Sequence, residues 1–210
     1  MTGDVMVDML GLRLEDPEES SFSSDAKIKA LNLSQKTVVN LIHNAYLTEL
    51  EVEDANETVA SGKVAFSGLT SAPVRNGIVS VKIYGGNYAT MIDVRDVART
   101  QNSLLSGTAT NPIAYVFDEN IYILPTGTTA LDVRYLAEPA DIADSSGSES
   151  SLNEALHEII LDFAESQLWR MDAQSERAAS AYTSGSNLVN ALNARYEAEA
   201  PSGVGTKGRR

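Results

Sequence analysis

The chain of 210 residues contains no cysteine. It can therefore form no disulfide framework and no zinc–thiolate site, and it has no thiol nucleophile. A chain of this length buries roughly 70% of the surface that it exposes when unfolded, so it needs no cross-link to fold. The absence of cysteine also favours folding in a reducing cytoplasm.

Long hydrophobic runs are missing too. No stretch approaches the roughly 18 consecutive apolar residues that predict a membrane span. The N-terminal sequence MTGDVMVDML carries aspartate where a signal peptide has lysine or arginine, and no apolar run follows it. We therefore expect a soluble protein that does not bind membranes.

Positive charge is scarce except at one end of the chain. The 16 Lys and Arg residues are outnumbered by 29 Asp and Glu residues, for a formal charge of -13. The last ten residues, PSGVGTKGRR, contain three cations and no acid, so residues 1–200 carry -16. A surface this acidic repels nucleic acid and anionic membranes.

The basic end has the composition of a binding arm. It consists of Gly203, Gly205, Lys207, Arg209 and Arg210 with their neighbours. A cationic segment spaced by glycines can follow a groove and pair with acids there, and it is ordered only on binding. We predict that it binds a pocket on another protein; the alternative is a solvated tail with no function.

The positions of the prolines divide the chain. The six prolines leave two long proline-free tracts, 20–56 and 150–200, and both are predicted to be helical. In the first tract, Ser23 or Ser24 can cap the helix. Its apolar face recurs at steps of three and four residues, and comprises Ile28, Leu31, Gln35, Val38, Ile42 and Ala45.

The second helical tract has its own start signal and one interruption. Ser151 and Glu154 have the spacing of a capping box, and Gly185 is expected to kink or briefly stop the helix. The apolar face comprises Leu152, Leu156, Ile159, Ile160, Phe163, Gln167 and Leu168, and continues through Leu188, Val189, Leu192 and Tyr196. A short amphipathic helix is also predicted near the N-terminus, with Val5, Met9 and Leu12 on one face.

Between the helical tracts the apolar residues alternate, as in strands. The predicted strands are IVSVKIY, with Val79, Val81 and Ile83 on one face, and ALDVRYL, with Leu131, Val133 and Tyr135 on one face. IAYVF and NIYIL flank residues 118–120 and predict a hairpin. A short helix capped by Asp93 is predicted between the strands.

These patterns predict an α+β fold. Neither helical tract can bury its apolar face alone, so the two are expected to pack as an antiparallel bundle. The predicted organisation is residues 1–56 as N-terminal helices of the bundle, 57–139 as a β-rich insertion domain, 140–150 as a flexible linker, 151–199 as C-terminal helices of the bundle, and 200–210 as an extended basic arm.

No residue pattern in the chain predicts catalysis. The chain has two histidines, His43 and His157, each among aliphatic neighbours. HEIILD resembles a zincin motif, but position i+4 from His157 is Leu161, and Asp162 lies about 100° off the required face. The glycine-containing turns lack the spacing of a phosphate-binding loop, and the acidic strings lack that of a calcium loop. We predict no catalytic residue, no metal site, no cofactor and no enzyme activity.

The aromatic residues are then expected to lie in the core or at interfaces. They include Trp169 and the tyrosines at positions 84, 88, 115, 122 and 135. Tyrosines concentrated in the β-rich insertion are typical of a contact surface, and ordinary sheet packing is the equally favoured alternative.

The order of elements resembles the head-to-tail adaptor (connector, or head-completion) proteins of tailed bacteriophages. The resemblance rests on three stretches. The first long helix of these proteins is similar to FSSDAKIKALNLSQKTVVNLI, and their strand pair and closing strand are similar to PIAYVFDENIYILPTGTTALDVRYLAEP. The long helix that follows is similar to LHEIILDFAESQLWRMDAQSERAASAY. Together the resemblance covers most of residues 20–200.

The resemblance implies a structural protein of the phage neck, located in the virion at the head-to-tail junction. It implies a homo-oligomeric ring, typically dodecameric, that docks under the portal protein, binds tail or nozzle components below and encloses the DNA channel. It also implies a C-terminal arm that reaches between portal subunits, which assigns portal binding to Gly203, Gly205, Lys207, Arg209 and Arg210. An acidic lumen would repel phosphate, so that DNA passes without sequence-specific binding.

Other functions remain open from the sequence. Another virion structural protein, such as a tail-completion or head-closure factor, is one alternative. It would have the same composition but would assemble below the portal protein rather than against it. A metal-dependent hydrolase using Asp or Glu is less favoured, and so is a ligand-binding module built on the β-rich insertion. A metal scan with turnover assays on generic substrates would reveal the hydrolase. A thermal-shift screen with small ligands would reveal the ligand-binding module.

Overall fold

The computed structural model describes residues 1–101 and 106–199. Helices and two sheets occur together, which confirms the predicted α+β class. The chain divides into two compact units. The helical unit joins residues 1–49 to the described residues from Pro139 onward, and the β unit is Leu50–Glu138.

The helical unit contains α1 (Gly3–Arg13), α2 (Ser24–Leu41), α3 (His157–Met171) and α4 (Ser175–Glu199). Helix α3 contacts each of the other three. It is buried on nearly all sides, as expected for a central helix, through residues that include Ile159, Ile160, Leu161, Phe163, Ala164 and Leu168. Helices α3 and α4 run antiparallel, since the order of their contacting residues is reversed along the chain.

Helix α2 begins as predicted and ends earlier. The Ser23 hydroxyl accepts a hydrogen bond from the Ala26 amide at 3.3 Å, which confirms the cap. The prediction of helix as far as residue 56 is wrong, because α2 ends at Leu41 and Glu51–Thr58 is a strand. The acidic residues of that strand flank Arg134 on the neighbouring strand, an ion-pair partner that lies far away in sequence.

The predicted start of α3 is also corrected. The Asn153 side chain, rather than Ser151, accepts the capping hydrogen bond, from the Ala155 amide at 3.0 Å. A 3-10 turn, Glu154–Leu156, then leads into α3. The cap therefore lies two residues after the predicted position, where an asparagine serves the same purpose.

The interruption in the C-terminal helical tract lies at residues 172–174 and not at Gly185. Ala173 has a left-handed backbone, with φ of 57°. The Gln174 amide donates to the Trp169 carbonyl at 2.8 Å, which closes the end of α3. Helix α4 continues through Gly185, so the predicted brief stop there is wrong.

Helix α1 forms as predicted but with the opposite face inside. Met6, Val7 and Leu10 are buried. Val5 and Leu12, which belong to the apolar face noted in the sequence, are 42% and 67% exposed. A helix with apolar residues on both sides gives no sequence signal for which side is buried.

The segment between the β unit and α3, which was predicted as a flexible linker, is hydrogen-bonded to α2 at several residues. The Asn32 side chain donates to the Ile142 carbonyl at 3.0 Å and accepts from the Ile142 amide at 2.7 Å. The Gln35 side chain bonds the Ala140 carbonyl and the Ser150 hydroxyl, both at 2.8 Å. These amides replace the backbone pairing that an irregular segment lacks.

The β unit contains two sheets. Their strands are β1 (Glu51–Thr58), β2 (Lys63–Ala65), β3 (Pro73–Ile83), β4 (Thr90–Met91), β5 (Ile113–Phe117), β6 (Asn120–Leu124) and β7 (Ala130–Ala137). One sheet has the order β1-β7-β3, and the other has the order β2-β6-β5-β4. The pairing of β4 with β5 is parallel, and the other pairs are antiparallel.

The strand predictions hold except at a bulge. Leu131, Val133 and Tyr135 are fully buried on one face of β7, as predicted. Val79 is 47% exposed, because the register of β3 against β7 shifts between Ile78 and Ser80. The extra residue of a bulge changes the face on which the following side chains lie.

The hairpin and the short helix of this region are both present. Strands β5 and β6 are joined by Asp118 and Glu119, which have φ of 47° and 55°, as two-residue hairpin turns require. The segment after Asp93 forms a 3-10 helix, Val94–Gln101, and the Asp93 carboxylate accepts from the Arg95 amide at 2.9 Å.

Candidate functional site

The residues predicted to bind the portal lie outside the described residues. They are Gly203, Gly205, Lys207, Arg209 and Arg210. The structure does describe α4, which leads towards them, and the contacts that hold its last turns. We call the contact between residues 41–46 and 192–196 the arm root.

One asparagine makes two hydrogen bonds across the arm root. The Asn193 side chain donates to the Leu41 carbonyl at 3.0 Å and accepts from the His43 amide at 2.8 Å. Leu41 is the last residue of α2, whose carbonyl lacks a partner within its own helix. Asn193 therefore ties the end of α2 to α4.

Aromatic rings complete the arm root. The His43 ring stacks on Tyr196 with 3.8 Å between ring centroids. The Tyr46 hydroxyl donates to the Leu192 carbonyl at 3.0 Å, and its ring meets Tyr196 edge-on at 6.3 Å. The sequence placed His43 on a helix, whereas it follows the end of α2 and caps a 3-10 turn. These contacts anchor α4 within a few residues of position 200.

A second polar cluster joins α1 to α3. Arg13 donates to Glu158 and, at 2.7 Å, to Asp162, and it lies 3.6 Å from Glu165. Burial alone would lower the pKa of Arg13, but the hydrogen bond and charge of Asp162 and the charge of Glu158 raise it. The guanidinium therefore remains charged and holds the two helices together.

A cleft of about 450 Å³ opens beside this cluster. The Arg177 guanidinium lies 4.7 Å from the centre of the Trp169 ring and 3.6 Å from the Glu15 carboxylate. Trp169 is buried, as predicted for a core residue. The cleft lining carries charges of both signs, from Arg13, Glu15, Asp162, Glu165 and Arg177.

His157 has a structural role. It is 2% exposed, and its Nε2 lies 3.0 Å from the Leu152 carbonyl. Burial lowers the pKa of His157, so the ring is neutral near pH 7. The mostly aliphatic neighbours of both histidines favour a partly buried or interface histidine, and the position of His157 agrees with this.

The described residues, 1–101 and 106–199, bring together no group of three or more His, Cys, Asp or Glu side chains that could hold a metal ion. Among the helices within those ranges, none is long and apolar enough to cross a membrane.

The β unit has both buried and exposed aromatic residues. The Tyr135 hydroxyl donates to Asp54 at 2.8 Å, and burial raises the pKa of Tyr135. Tyr84 and Tyr88 are 58% and 64% exposed. Exposed Phe117, at the end of β5, was missed by the sequence prediction, because alternation alone does not tell which face of a strand is covered.

The acidic residues concentrate in the helical unit. Residues 1–49 and 139–200 contain 19 acidic and 7 basic residues, against 10 and 6 in residues 50–138. The basic arm therefore follows the more acidic of the two units along the chain.

Comparison with known proteins identifies a family. A protein-family model described as SU10 adaptor protein matches residues 1–206. This span includes both units and ends before Lys207. No curated protein matches the chain significantly.

Proposed function

The chain belongs to the SU10 adaptor protein family, a phage head-to-tail adaptor family, and on this basis we propose that it is the ring-forming structural adaptor of a phage neck. The adaptor family implies a structural component of the virion. In the proposal, copies of the chain form a ring that docks on the portal protein, binds tail or nozzle components below and encloses the DNA channel. Its expected size is a dodecamer.

The observation that carries this proposal is the family match over residues 1–206, nearly the whole chain. It agrees with the order of helical and β segments from which the sequence analysis inferred the same family. A match confined to one unit would leave the other unit unexplained.

The basic arm is proposed as the portal-binding element. Residues 201–210 carry three cations and no acid, and they follow a helix whose last turns are anchored by Asn193 and Tyr196. A cationic segment attached to an anchored helix can enter an acidic groove while the helix keeps a defined position. Gly203, Gly205, Lys207, Arg209 and Arg210 are its proposed contact residues.

The acidic body is proposed to keep DNA mobile in the channel. Residues 1–200 carry a formal charge of -16. Carboxylates that face the lumen of a ring repel the phosphate backbone, so that DNA slides without sticking. The antiparallel bundle predicted from the sequence would supply the rigid wall, with the α3–α4 pair as its described part.

Binding to the portal protein tests this function. We expect deletion of residues 201–210, or the triple variant Lys207→Gln, Arg209→Gln and Arg210→Gln, to weaken co-sedimentation with portal. A matched control, Lys63→Gln with Arg95→Gln and Arg99→Gln, removes three cations from the β unit and should bind like the parent chain.

The results test the role of the arm separately from the formation of a ring on the portal protein. Unchanged portal binding after arm deletion overturns the role of the arm. Failure of the intact chain to form a ring with portal in electron micrographs, together with binding to tail components alone, favours a tail-completion or head-closure factor.

A further inference from the structure

The cleft beside Arg13 carries an excess of negative charge. The Arg13 guanidinium forms ion pairs with three carboxylates, those of Glu158, Asp162 and Glu165. The other ion pair at the cleft, between α4 and the loop after α1, is balanced. Within the described part of the chain, three carboxylates therefore share one guanidinium, which leaves an excess of two negative charges.

One of these carboxylates has an oxygen without a hydrogen-bond partner. Asp162 is 6% exposed, and its Oδ1 accepts from Arg13 at 2.7 Å. Its Oδ2 is buried and accepts no hydrogen bond from the described residues. Buried polar atoms nearly always have a partner, so this exception calls for a donor. Because Asp162 lines the cleft, a group that enters the cleft is suited to supply it.

The cleft has the chemistry to hold a guanidinium group. Asp162 and Glu165 are three residues apart on α3, so their side chains are neighbours on one side of the helix. A planar guanidinium can donate to two carboxylates at once, whereas an ammonium group is a point charge. The cleft also has an aromatic wall, Trp169, on which the Arg177 guanidinium already stacks at 4.7 Å from the ring centre. Its volume of about 450 Å³ is large enough for an arginine side chain.

The basic arm of the same chain has such groups and can reach the cleft. It ends in two arginines and contains no acid. Helix α4 contributes Ser184 to the cleft and ends at Glu199, about 22 Å further along the helix axis. The next ten residues, up to Arg209, span as much as about 33 Å when extended. Arg195, the single basic residue between Ser184 and Glu199, has an interaction of its own.

We propose that the cleft binds the guanidinium of Arg209 or Arg210 of its own chain while the arm is not bound to portal protein. The guanidinium donates to Asp162 Oδ2 and to Glu165, and it supplies positive charge that the cleft lacks. Portal protein then competes with this internal site for the arm. The competition rests on the proposed function, whereas binding of the arm in the cleft does not.

The single tryptophan provides a local probe of the cleft. The Trp169 indole N–H donates to Glu165 at 3.2 Å and gives one resonance in a proton–nitrogen correlation NMR spectrum. We expect this resonance to differ in position between the full chain and a chain that ends at Ala200. A peptide of residues 201–210, added to the shorter chain, should move the resonance to its position in the full chain.

Variant peptides test the ligand. The peptide with Arg209→Gln and Arg210→Gln should bind at least about tenfold more weakly, because it loses hydrogen bonds between charged groups. The peptide with Arg209→Lys and Arg210→Lys keeps the charge and should also bind more weakly, since it lacks the planar fork. Equal binding of the lysine peptide and the native peptide would overturn the assignment to a guanidinium.

Variants of the chain that ends at Ala200 test the site. Asp162→Asn and Glu165→Gln should each weaken peptide binding by about tenfold. Glu165, whose side chain is 21% exposed, provides the readout if Asp162→Asn does not fold. The control, Asp8→Asn, removes an exposed acid of α1 outside the cleft lining and should bind like the parent chain. An equal loss from Asp8→Asn would show unspecific charge attraction and overturn the site.

The remaining outcomes separate this inference from the proposed function. Identical indole positions in the two chains, with and without peptide, would overturn the inference. A position in the full chain that changes with protein concentration would show that the arm enters another copy, which overturns it as well. With portal protein, full-length Asp162→Asn or Glu165→Gln should co-sediment more strongly than the parent chain, because its arm is no longer held; equal co-sedimentation overturns the competition. If the arm binds portal but not the cleft, only this inference fails; if it binds the cleft but not portal, the proposed role of the arm fails.

Discussion

Asp16 shows how one buried carboxylate can organise a loop. It is 4% exposed and lies between α1 and α2. Its oxygens accept hydrogen bonds from the amides of Ser20, Ser21 and Phe22 and from the Ser20 hydroxyl. These bonds, led by the Phe22 amide and the Ser20 hydroxyl, lower the pKa of Asp16 from 3.8 to about 2. The carboxylate thus satisfies the buried Phe22 amide and holds the exposed loop residues Ser20 and Ser21 beside it.

This pKa predicts acid sensitivity with a defined sign. Because the pKa is lower in the folded chain than in the unfolded chain, the stabilisation is complete above pH 3.8 and is lost as the pH falls towards 2. We expect Asp16→Asn to be less stable than the parent chain at pH 7, and the difference to shrink between pH 4 and pH 2. Urea unfolding of both chains at several pH values measures this difference in the free energy of unfolding.

The control for this prediction is Glu18→Gln, which changes an exposed acid in the same loop. It should leave the unfolding free energy nearly unchanged at pH 7. A difference between parent and Asp16→Asn that is constant from pH 7 to pH 2 would contradict the assignment.

Helices α3 and α4 approach each other closely at Gly185. A Cβ atom at this position would lie 3.2 Å from Cβ of Asp162 and 3.3 Å from Cε1 of Phe163. The glycine therefore permits the close packing of these two helices. Its cost within a helix, about 1 kcal/mol relative to alanine, is offset by the contact that it permits.

Substitutions at Gly185 should separate these two effects. For Gly185→Ala we expect little net change, because the gain in helix propensity offsets a contact that is a few tenths of an ångström too short. For Gly185→Leu we expect a loss of about 1–3 kcal/mol from overpacking. Asn187→Leu, at an exposed position of the same helix, should change stability by less than about 0.5 kcal/mol. The free energy of unfolding in urea at pH 7 measures both effects. Equal losses from the two leucine substitutions would refute the packing role of Gly185.

The β unit has the features of an independently folding module. Most of its buried apolar residues form one cluster that includes Val81, Ile121 and Val133. Its two ends are neighbours, since Glu51 pairs with Leu136 across β1 and β7. A module whose ends meet can be inserted into a second module without disturbing either.

We therefore expect a fragment of residues 50–138 to fold alone. It should unfold cooperatively, with near-ultraviolet circular dichroism from buried Tyr135. The fragment 50–129 is the control and should not fold, because β7 is the central strand of its sheet. A non-cooperative transition of the longer fragment would contradict the prediction. In the full chain, fluorescence of Trp169, the single tryptophan, reports on the helical unit alone.

At the level of the whole molecule, much could be predicted from local pattern. The mixed fold class, the Ser23 cap, the β5–β6 hairpin and the buried face of β7 all follow from apolar spacing and short-range turn chemistry. The adaptor family was also inferred from the order of elements, and the family match confirms it. The arm residues from Gly203 to Arg210 remain a prediction.

The sequence by itself determined where apolar residues repeat, and hence which segments form helices or strands, because that periodicity is a property of neighbours along the chain. Only the tertiary structure decided that Glu51–Thr58 pairs with β7, that α1 turns Leu12 outward, and that Gly185 meets Phe163. Each of these depends on residues far apart in sequence, whose contact energies outweigh local preference once the chain is folded.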